Sequence, residues 1–262
     1  ITAKINGVDV SVLDNHVIPL AGLNVGTYNL TVTTVPDEDH YSVTMNATIT
    51  VNPIQTQLTG NSVAAIYKAN KYLVITLKDA NGNPISGVSV TVDLNGAKTY
   101  TTDKNGQVKV STKGLAPKAY TAKVTFNGNT NYDKSTKDVK VTVKKATPKL
   151  TAKKKTFKTT PKTKKYTIVL KDNTGKAIKK AKVTLKVKGK TYKATTNSKG
   201  KATFKITNLN KKGTFKATVT YKGNAYYNKV TKKVKITPET GYYVTWMEDK
   251  YYTEAALEII TA

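Results

Sequence analysis

The sequence predicts an all-β fold of β-sandwiches in tandem, and three observations lead to this prediction. A segment that begins at Gly213 recurs at Ala119 and, less completely, at Gly26, so the chain contains internal repeats. Apolar and polar residues alternate within each copy, as in Phe215–Tyr221, which is typical of half-buried strands. Short strand-like runs are separated by turns rich in Gly, Asn and Asp about every 8–12 residues. No helix is predicted inside any repeat.

The repeats divide the 262-residue chain into four segments. Residues 1–52 form a partial repeat, 53–144 and 145–237 form complete repeats, and 238–262 form a tail outside the repeats. Because the joints are too short to be flexible linkers, we expect an elongated rod of immunoglobulin-like sandwiches with about seven strands in each complete copy. The tail is either the start of another domain or a docking segment. Its run Glu254–Ile260 is the most helix-like in the chain.

The partial repeat lacks the two opening strands of the complete copies. We expect an open sheet edge there, beside the apolar residues Leu30, Val32 and Met45. The segment Tyr242–Trp246 from the tail of a second molecule is a candidate to pair with this edge, which would build a head-to-tail filament. The strands expected in the partial repeat are Thr2–Ile5, Val8–Val12, Val17–Leu20, Tyr28–Val35 and Ser42–Val51.

The two complete repeats follow one plan in register. An apolar strand leads to an Asp-x-x-Gly turn, a second apolar strand leads to an Asp/Asn-x-x-Gly turn, and a third leads to the repeated segment. The residues expected to face the core are Leu73, Ile75, Leu77, Val88, Val90, Val92, Leu94, Val108 and Val110 in the second repeat, and Tyr166, Ile168, Leu170, Ala181, Val183, Leu185, Val187, Ala202, Phe204 and Ile206 in the third.

The repeated segment reads Tyr/Phe-x-Ala-x-Val-x-Tyr/Phe-x-Gly-Asn-x-x-Tyr from Tyr120 and again from Phe215. Together with the two turn motifs, it resembles bacterial-type Ig-like repeats. It is most similar to the lysine- and threonine-rich repeats of adhesin-like cell-surface proteins of methanogenic archaea. The resemblance covers residues 1–237. It implies an extracellular module at the cell surface or cell wall that serves as an adhesin or stalk, and it does not indicate a ligand.

The charge of the chain is concentrated in the third repeat. All 44 basic residues are lysine, and the net charge is +28. Residues 145–237 hold 29 of the lysines and a single acid, Asp172, far beyond the roughly 2–8 charges that solubility of a small domain requires. Such a field attracts polyanions. Because arginine, whose planar fork reads bases, is absent, we expect an acidic cell-wall polysaccharide, a surface polymer or another cell surface as partner, rather than nucleic acid.

Two sets of candidate site residues follow from strand alternation. The sequons at Asn29 and Asn46 predict glycosylation, with both side chains on an outward face. The predicted polyanion contact is made by lysines that alternate with core residues on the outer faces of both sheets: Lys182, Lys186, Lys188, Lys201, Lys205, Lys216, Lys222, Lys233 and Lys235.

The motifs of catalytic and metal sites give no support for an enzyme, a metal or a cofactor. No Gly-rich phosphate loop, nucleophile elbow or pair of carboxylates at fixed spacing is present. Asp37–His40 is interpreted as a solvated loop. Asp79–Asn83 has the oxygens of a calcium loop, but Lys176 replaces a ligand at the same place in the third copy, so a simple turn is favoured. A Lys–Asn crosslink, which needs a buried carboxylate, stays open only for the second repeat.

The tyrosines have two readings, a stacking strip for sugars or bases and a set of core and corner residues. We favour the second, because most of them fall on inward positions or at one repeated place. Those expected inward are Tyr28, Tyr120 and Tyr221; those at the repeated place are Tyr41, Tyr132 and Tyr227; and Tyr226 is expected to be exposed.

Three functions fit these expectations. The first is a non-enzymatic surface adhesin or stalk with a basic third repeat. The second is a filament subunit that polymerises by strand exchange. The third is the wall-binding accessory region of a secreted enzyme.

Overall fold

The computed structural model describes residues 1–240, 242–246 and 257–261. Every regular element in them is a strand, which confirms the predicted all-β class. None of these residues belongs to a helix that is long and apolar enough to cross a membrane. Contacts divide the chain into two compact units. The first comprises Ile1–Val63, Tyr72–Val110 and Tyr120–Val141, and the second Ala64–Lys71, Ser111–Ala119 and Thr142–Ala262.

The partial repeat forms one antiparallel sheet. Its strands are β1 (Thr2–Ile5), β2 (Val8–Val10), β3 (Gly26–Thr33) and β4 (Thr44–Val51), in the order β2-β1-β3-β4. Ala3 and Ile5 are buried on one face. Among the described residues β4 is an edge strand, and Met45 on it is 70% exposed.

The strand predicted at Val17–Leu20 is wrong. His16 has a φ of 60°, the backbone N–H of Leu13 donates to the Val17 carbonyl (3.0 Å), and that of His16 donates to the Leu13 carbonyl (2.8 Å). The backbone hydrogen bonds of this segment therefore close a turn instead of a ladder.

The second repeat is a two-sheet sandwich of eight strands. A three-stranded sheet in the order β10-β7-β5 packs with a five-stranded sheet in the order β6-β12-β11-β8-β9. The predicted core positions are buried, except Val88, which is half-buried. The strands are β5 (Thr56–Gly60), β6 (Val63–Ile66), β7 (Tyr72–Asp79), β8 (Ser89–Asp93), β9 (Ala97–Thr101), β10 (Gln107–Ser111), β11 (Ala119–Phe126) and β12 (Ser135–Lys144).

The third repeat has the same plan, in the sheets β13-β15-β18 and β14-β20-β19-β16-β17. All ten residues predicted to face its core are buried. Its strands are β13 (Lys149–Thr151), β14 (Lys155–Lys158), β15 (Lys164–Lys171), β16 (Lys182–Val187), β17 (Lys190–Thr195), β18 (Lys201–Ile206), β19 (Phe215–Tyr221) and β20 (Val230–Glu239).

Each sandwich has one strand more than expected, because the opening strand is divided between the two sheets. β13 pairs antiparallel with β15 in the smaller sheet. After a break of three residues the chain continues as β14, which pairs parallel with β20 in the larger sheet. The two halves of the opening strand are therefore edge strands, one in each sheet.

In the tail, β21 (Tyr242–Trp246) pairs antiparallel with β22 (Leu257–Thr261) of the same chain. The run Glu254–Ile260, the most helix-like in the sequence, is therefore extended from Leu257 onward and paired in a strand ladder. Its residues 254–256 lie outside the described residues.

Candidate polyanion-binding face

The outer surface of the five-stranded sheet of the third sandwich consists of lysine and threonine, apart from Glu239 at the end of β20. Leu185 and Val219 are buried in the core, so the residues that alternate with them point outward. We call this surface the lysine–threonine face. It comprises Lys182, Thr184 and Lys186 of β16, Lys193 and Thr195 of β17, Lys216, Thr218 and Thr220 of β19, Lys222 directly after β19, and Thr231, Lys233 and Lys235 of β20.

The strand register arranges these side chains in rows across the sheet. The lysines are exposed, whereas Thr184, Thr218 and Thr220 in the middle are half-buried. The Thr184 hydroxyl donates to the Thr220 carbonyl, and the Thr220 and Thr231 hydroxyls are 3.4 Å apart. One row is Lys186, Thr218 and Lys233, and the next is Lys193, Thr184, Thr220 and Thr231.

Six of the nine predicted lysines lie on this face: Lys182, Lys186, Lys216, Lys222, Lys233 and Lys235. The other three do not. Lys188 is in the turn after β16 at a φ of 43°, and its Nζ lies 5.3 Å from the centre of the Phe215 ring. Lys201 and Lys205 are on β18 in the other sheet. Lys193 was missed, although its alternation with Tyr192 on β17 is a usable signal.

No acidic side chain of the third repeat balances the lysine–threonine face, because Asp172 is the only acid between residues 145 and 237 and it lies elsewhere. Lys216 is directly opposite Lys235 on the neighbouring strand. Like charges in this position are unfavourable. A bound anion would remove that repulsion, so the face is electrostatically suited to anionic ligands.

Two open grooves lie on the lysine–threonine face. One, of about 700 Å³, is lined by Lys182, Lys193 and Lys222 together with Thr184, Thr195 and Thr220. The other, of about 540 Å³, is lined by Lys216, Thr218, Lys233 and Lys235. Both grooves therefore combine lysine ammonium groups with threonine hydroxyls.

A buried ion pair in the second unit was missed by sequence reasoning. The side chain of Asp172 is 1% exposed. As predicted for a turn residue, its Oδ1 accepts hydrogen bonds from the Thr174 N–H, the Thr174 hydroxyl and the Lys176 N–H. Its Oδ2 accepts a hydrogen bond from Lys68 Nζ at 2.8 Å.

This pairing fixes the charges of both groups. Burial alone would raise the pKa of Asp172, but the hydrogen bonds from Lys68, Thr174 and Lys176 outweigh it and lower the pKa to about 2. The hydrogen bond to Asp172 raises the pKa of Lys68. Lys68 Nζ also lies 5.8 Å from the centre of the Tyr227 ring, a cation–π contact. An ammonium and a carboxylate, rather than an amine and a carboxylic acid, therefore face each other.

The equivalent turn of the second sandwich satisfies its aspartate locally. Asp79 Oδ1 accepts hydrogen bonds from the Asn81 and Asn83 backbones, and Oδ2 accepts one from the Asn83 side chain at 3.0 Å. A cluster of three or more His, Cys, Asp or Glu side chains suited to a metal ion is absent from the described part of the chain.

The tyrosines do not form a strip on the lysine–threonine face. Tyr227 is buried and Tyr132 half-buried, and each forms the same parallel bridge to the start of its sandwich. Tyr226 is exposed, with its ring centre 5.0 Å from that of Tyr67. The expectation for Tyr41 is wrong: it is 93% exposed, because its loop forms no strand against a second sheet.

The two sequon asparagines, Asn29 and Asn46, are exposed on neighbouring strands. In the register of β3 and β4, Asn29 lies opposite Thr48 and Asn46 opposite Thr31. The Thr31 hydroxyl donates to Asn46 Oδ1 at 2.8 Å. Glycosylation stays a prediction.

Tyr221 suggests a stabilising substitution. It is 3% exposed, and its hydroxyl has no hydrogen-bond partner among the described residues. Phe126 occupies the same place in the second sandwich. Because an unsatisfied buried hydroxyl is costly, Tyr221→Phe should raise the free energy of unfolding by about 1 kcal/mol.

The matched control is Tyr166→Phe, measured by denaturant unfolding alongside Tyr221→Phe. Tyr166 is also buried, but its hydroxyl donates to the Lys153 carbonyl at 2.7 Å. This substitution should cost about 1 kcal/mol. If both substitutions changed the free energy of unfolding in the same direction, the Tyr221 hydroxyl would not be the unsatisfied one.

The chain is similar to several solved structures of low sequence identity. No family model and no curated protein matches the chain. Among solved structures it is similar to a 1.5-MDa bacterial ice-binding adhesin, with 18% identity over 91% of this chain and 86% of that one, at a TM-score of 0.34. It is also similar to invasin, a bacterial integrin-binding protein, with 18% identity over 72% of this chain and 41% of that one, at a TM-score of 0.41.

A third similar structure is a Bacteroides ovatus protein of a mixed-linkage glucan utilization locus, in complex with a heptasaccharide. The identity is 17% over 96% of this chain and 65% of that one, at a TM-score of 0.25. The fold itself is a tandem of immunoglobulin-like β-sandwiches.

Proposed function

We propose that this chain is a non-enzymatic adhesin or stalk module of the cell surface or cell wall, whose third sandwich binds acidic wall or surface polymers. The observation that carries the proposal is the lysine–threonine face, where exposed lysines cluster on one sheet without a carboxylate among them. The repeated sandwiches suit a spacer, since each copy folds around its own core. The proposal includes a relationship to the Ig-like-repeat surface proteins of methanogenic archaea, on the motifs of the repeats.

Binding to acidic polymers should weaken steeply as salt rises. The contacts involve exposed lysines, and charges at exposed sites are screened over about 8–10 Å near physiological ionic strength. The test is retention of the full chain on an anionic wall polymer at low and at high salt, with a neutral glucan as control. Retention that is independent of salt, or none at low salt, would contradict the proposal.

Strand exchange between molecules is a second candidate, and one observation favours it. In both sandwiches the strand equivalent to β4 has a neighbour on its outer side, β6 beside β12 and β14 beside β20, the latter pair parallel. In the described part of the partial repeat, β4 has none, so its outer backbone groups offer a template for an added strand. A filament subunit would associate in a concentration-dependent manner, which mass measurement in solution detects.

A further inference from the structure

The lysine–threonine face has a chemistry more specific than positive charge. Its lysines fall into two clusters: Lys182, Lys193 and Lys222 towards the C-terminal end of β19, and Lys186, Lys216, Lys233 and Lys235 towards its N-terminal end. At the rise of a strand, about 3.3 Å per residue, Lys216 and Lys222 at the two extremes are roughly 20 Å apart. A single small anion cannot contact both extremes, whereas a polymer can.

Hydroxyl groups occupy the middle of the face, in the same rows as Lys193 and Lys186. Thr184 and Thr220 are adjacent across β16 and β19, and Thr231 follows on β20. Hydroxyls donate and accept hydrogen bonds. They therefore suit a ligand that carries hydroxyls of its own between its charges, as the sugar rings of an acidic polysaccharide do.

Aromatic side chains are absent from the lysine–threonine face, since all outward positions on β16, β17, β19 and β20 are lysine or threonine apart from Glu239 at the end of β20. Proteins that bind single-stranded nucleic acid rely on aromatic side chains on which bases stack. This composition favours a polyhydroxylated polyanion over nucleic acid.

We propose that the lysine–threonine face binds an acidic polysaccharide along its strands, with the anionic groups at the two lysine clusters and the ring hydroxyls at Thr184, Thr220 and Thr231. This inference rests on the proposed function and adds the location of the site and the class of its ligand. Charge complementarity supports the occupant, because all the charged residues of the face are lysines and the one carboxylate on the outer side of its strands, Glu239, is at the far end of β20.

Two sets of variants of the full chain test the location. The first, Lys182→Gln, Lys193→Gln and Lys222→Gln together, removes three charges from the face. The second removes three charges from the outer side of the other sheet, at Lys165, Lys201 and Lys205. With polygalacturonate as probe, the first set should weaken binding at least about tenfold at low salt and the second less than about threefold. Equal losses would overturn the location while leaving salt-dependent binding, and thus the proposed function, intact.

A charge-neutral pair of substitutions tests the ligand class. Thr184→Val and Thr220→Val keep the β-branched shape and remove two hydroxyls. The combined variant should bind polygalacturonate about tenfold more weakly and inorganic polyphosphate, which has no hydroxyls along its chain, equally well. An unchanged affinity for polygalacturonate, or tighter binding of single-stranded DNA than of polygalacturonate, would overturn the proposed ligand class.

Discussion

Lys68→Met is expected to destabilise the second unit by about 2–3 kcal/mol, because it leaves the buried carboxylate of Asp172 without its counter-ion. Fully buried pairs typically lose about 3–5 kcal/mol when one partner is removed. The smaller figure here reflects the 35% exposure of the Lys68 side chain, which lets water replace part of the contact. Denaturant unfolding gives the magnitude, and native-state hydrogen exchange at β15 and the turn after it gives the location.

Two further variants separate the ion pair from other effects. Lys71→Met removes an exposed lysine of the same segment and should cost less than about 0.5 kcal/mol. Adding Asp172→Asn to Lys68→Met should recover most of the loss, because no unpaired charge remains. Asparagine suits this turn type, since Asn197 Oδ1 accepts the equivalent backbone hydrogen bonds from Lys199 and Lys201. A double variant as unstable as Lys68→Met alone would contradict the electrostatic explanation.

The same pair predicts the direction of the pH dependence. The pKa of Asp172 is lowered from 3.8 to about 2, so the folded chain binds this proton less readily than the unfolded chain does. Its contribution is fully present above roughly pH 5 and is lost as the pH falls from about 4 towards 2. The pKa of Lys68 is raised, so its share persists below its ordinary value and is lost only at strongly alkaline pH. In Lys68→Met the pKa of Asp172 should rise towards or above 3.8, so the acid-induced loss of stability should become smaller or reverse.

The fold was largely predictable from the sequence because the pattern that determines it is local. Alternation with period two assigned the inward rows, and nearly all of them are buried. The division of the opening strand between two sheets was missed, since Lys149–Thr151 and Lys155–Lys158 differ from one continuous strand only in which neighbour they pair with. That choice depends on tertiary contacts, and the alternation of apolar and polar residues along the sequence contains no information about them.

The candidate site was predictable only in part, for a similar reason. Alternation placed Lys182, Lys186 and Lys233 outward, but sequence spacing alone does not say that β16 and β20 flank β19 on one sheet while β18 belongs to the other. Asp172 was interpreted as a turn residue, and its Oδ1 does accept hydrogen bonds within the turn. The partner of the other oxygen, Lys68, is more than one hundred residues away in the chain, where no local motif points to it.

Gly200→Ala is expected to destabilise the third sandwich by about 4 kcal/mol, near the upper end for a single substitution. Gly200 has a φ of 72°, and a Cβ there would lie 2.5 Å from the carbonyl oxygen of Leu170 and 3.2 Å from the Cβ of Ala177. Its backbone is fixed on both sides: its N–H donates to the Asn197 carbonyl, and its carbonyl accepts from the Leu170 N–H. The clash is with backbone, so no side-chain rotation relieves it.

Gly175→Ala is the matched control, because the sequence presents both glycines as the last residue of an Asp/Asn-x-x-Gly turn. Gly175 has a φ of 84°, but no atom lies within 4 Å of its added Cβ. Only the left-handed backbone is then penalised, at about 1 kcal/mol. The difference between the two variants in denaturant unfolding isolates the contact with Leu170. In the second sandwich a Cβ added at Gly106 would meet the Leu77 carbonyl in the same way, whereas nothing lies within 4 Å of one added at Gly82. The same difference in the free energy of unfolding should therefore recur there. If the two alanine variants of either pair were equally destabilised, the second turn would not be held against the first apolar strand.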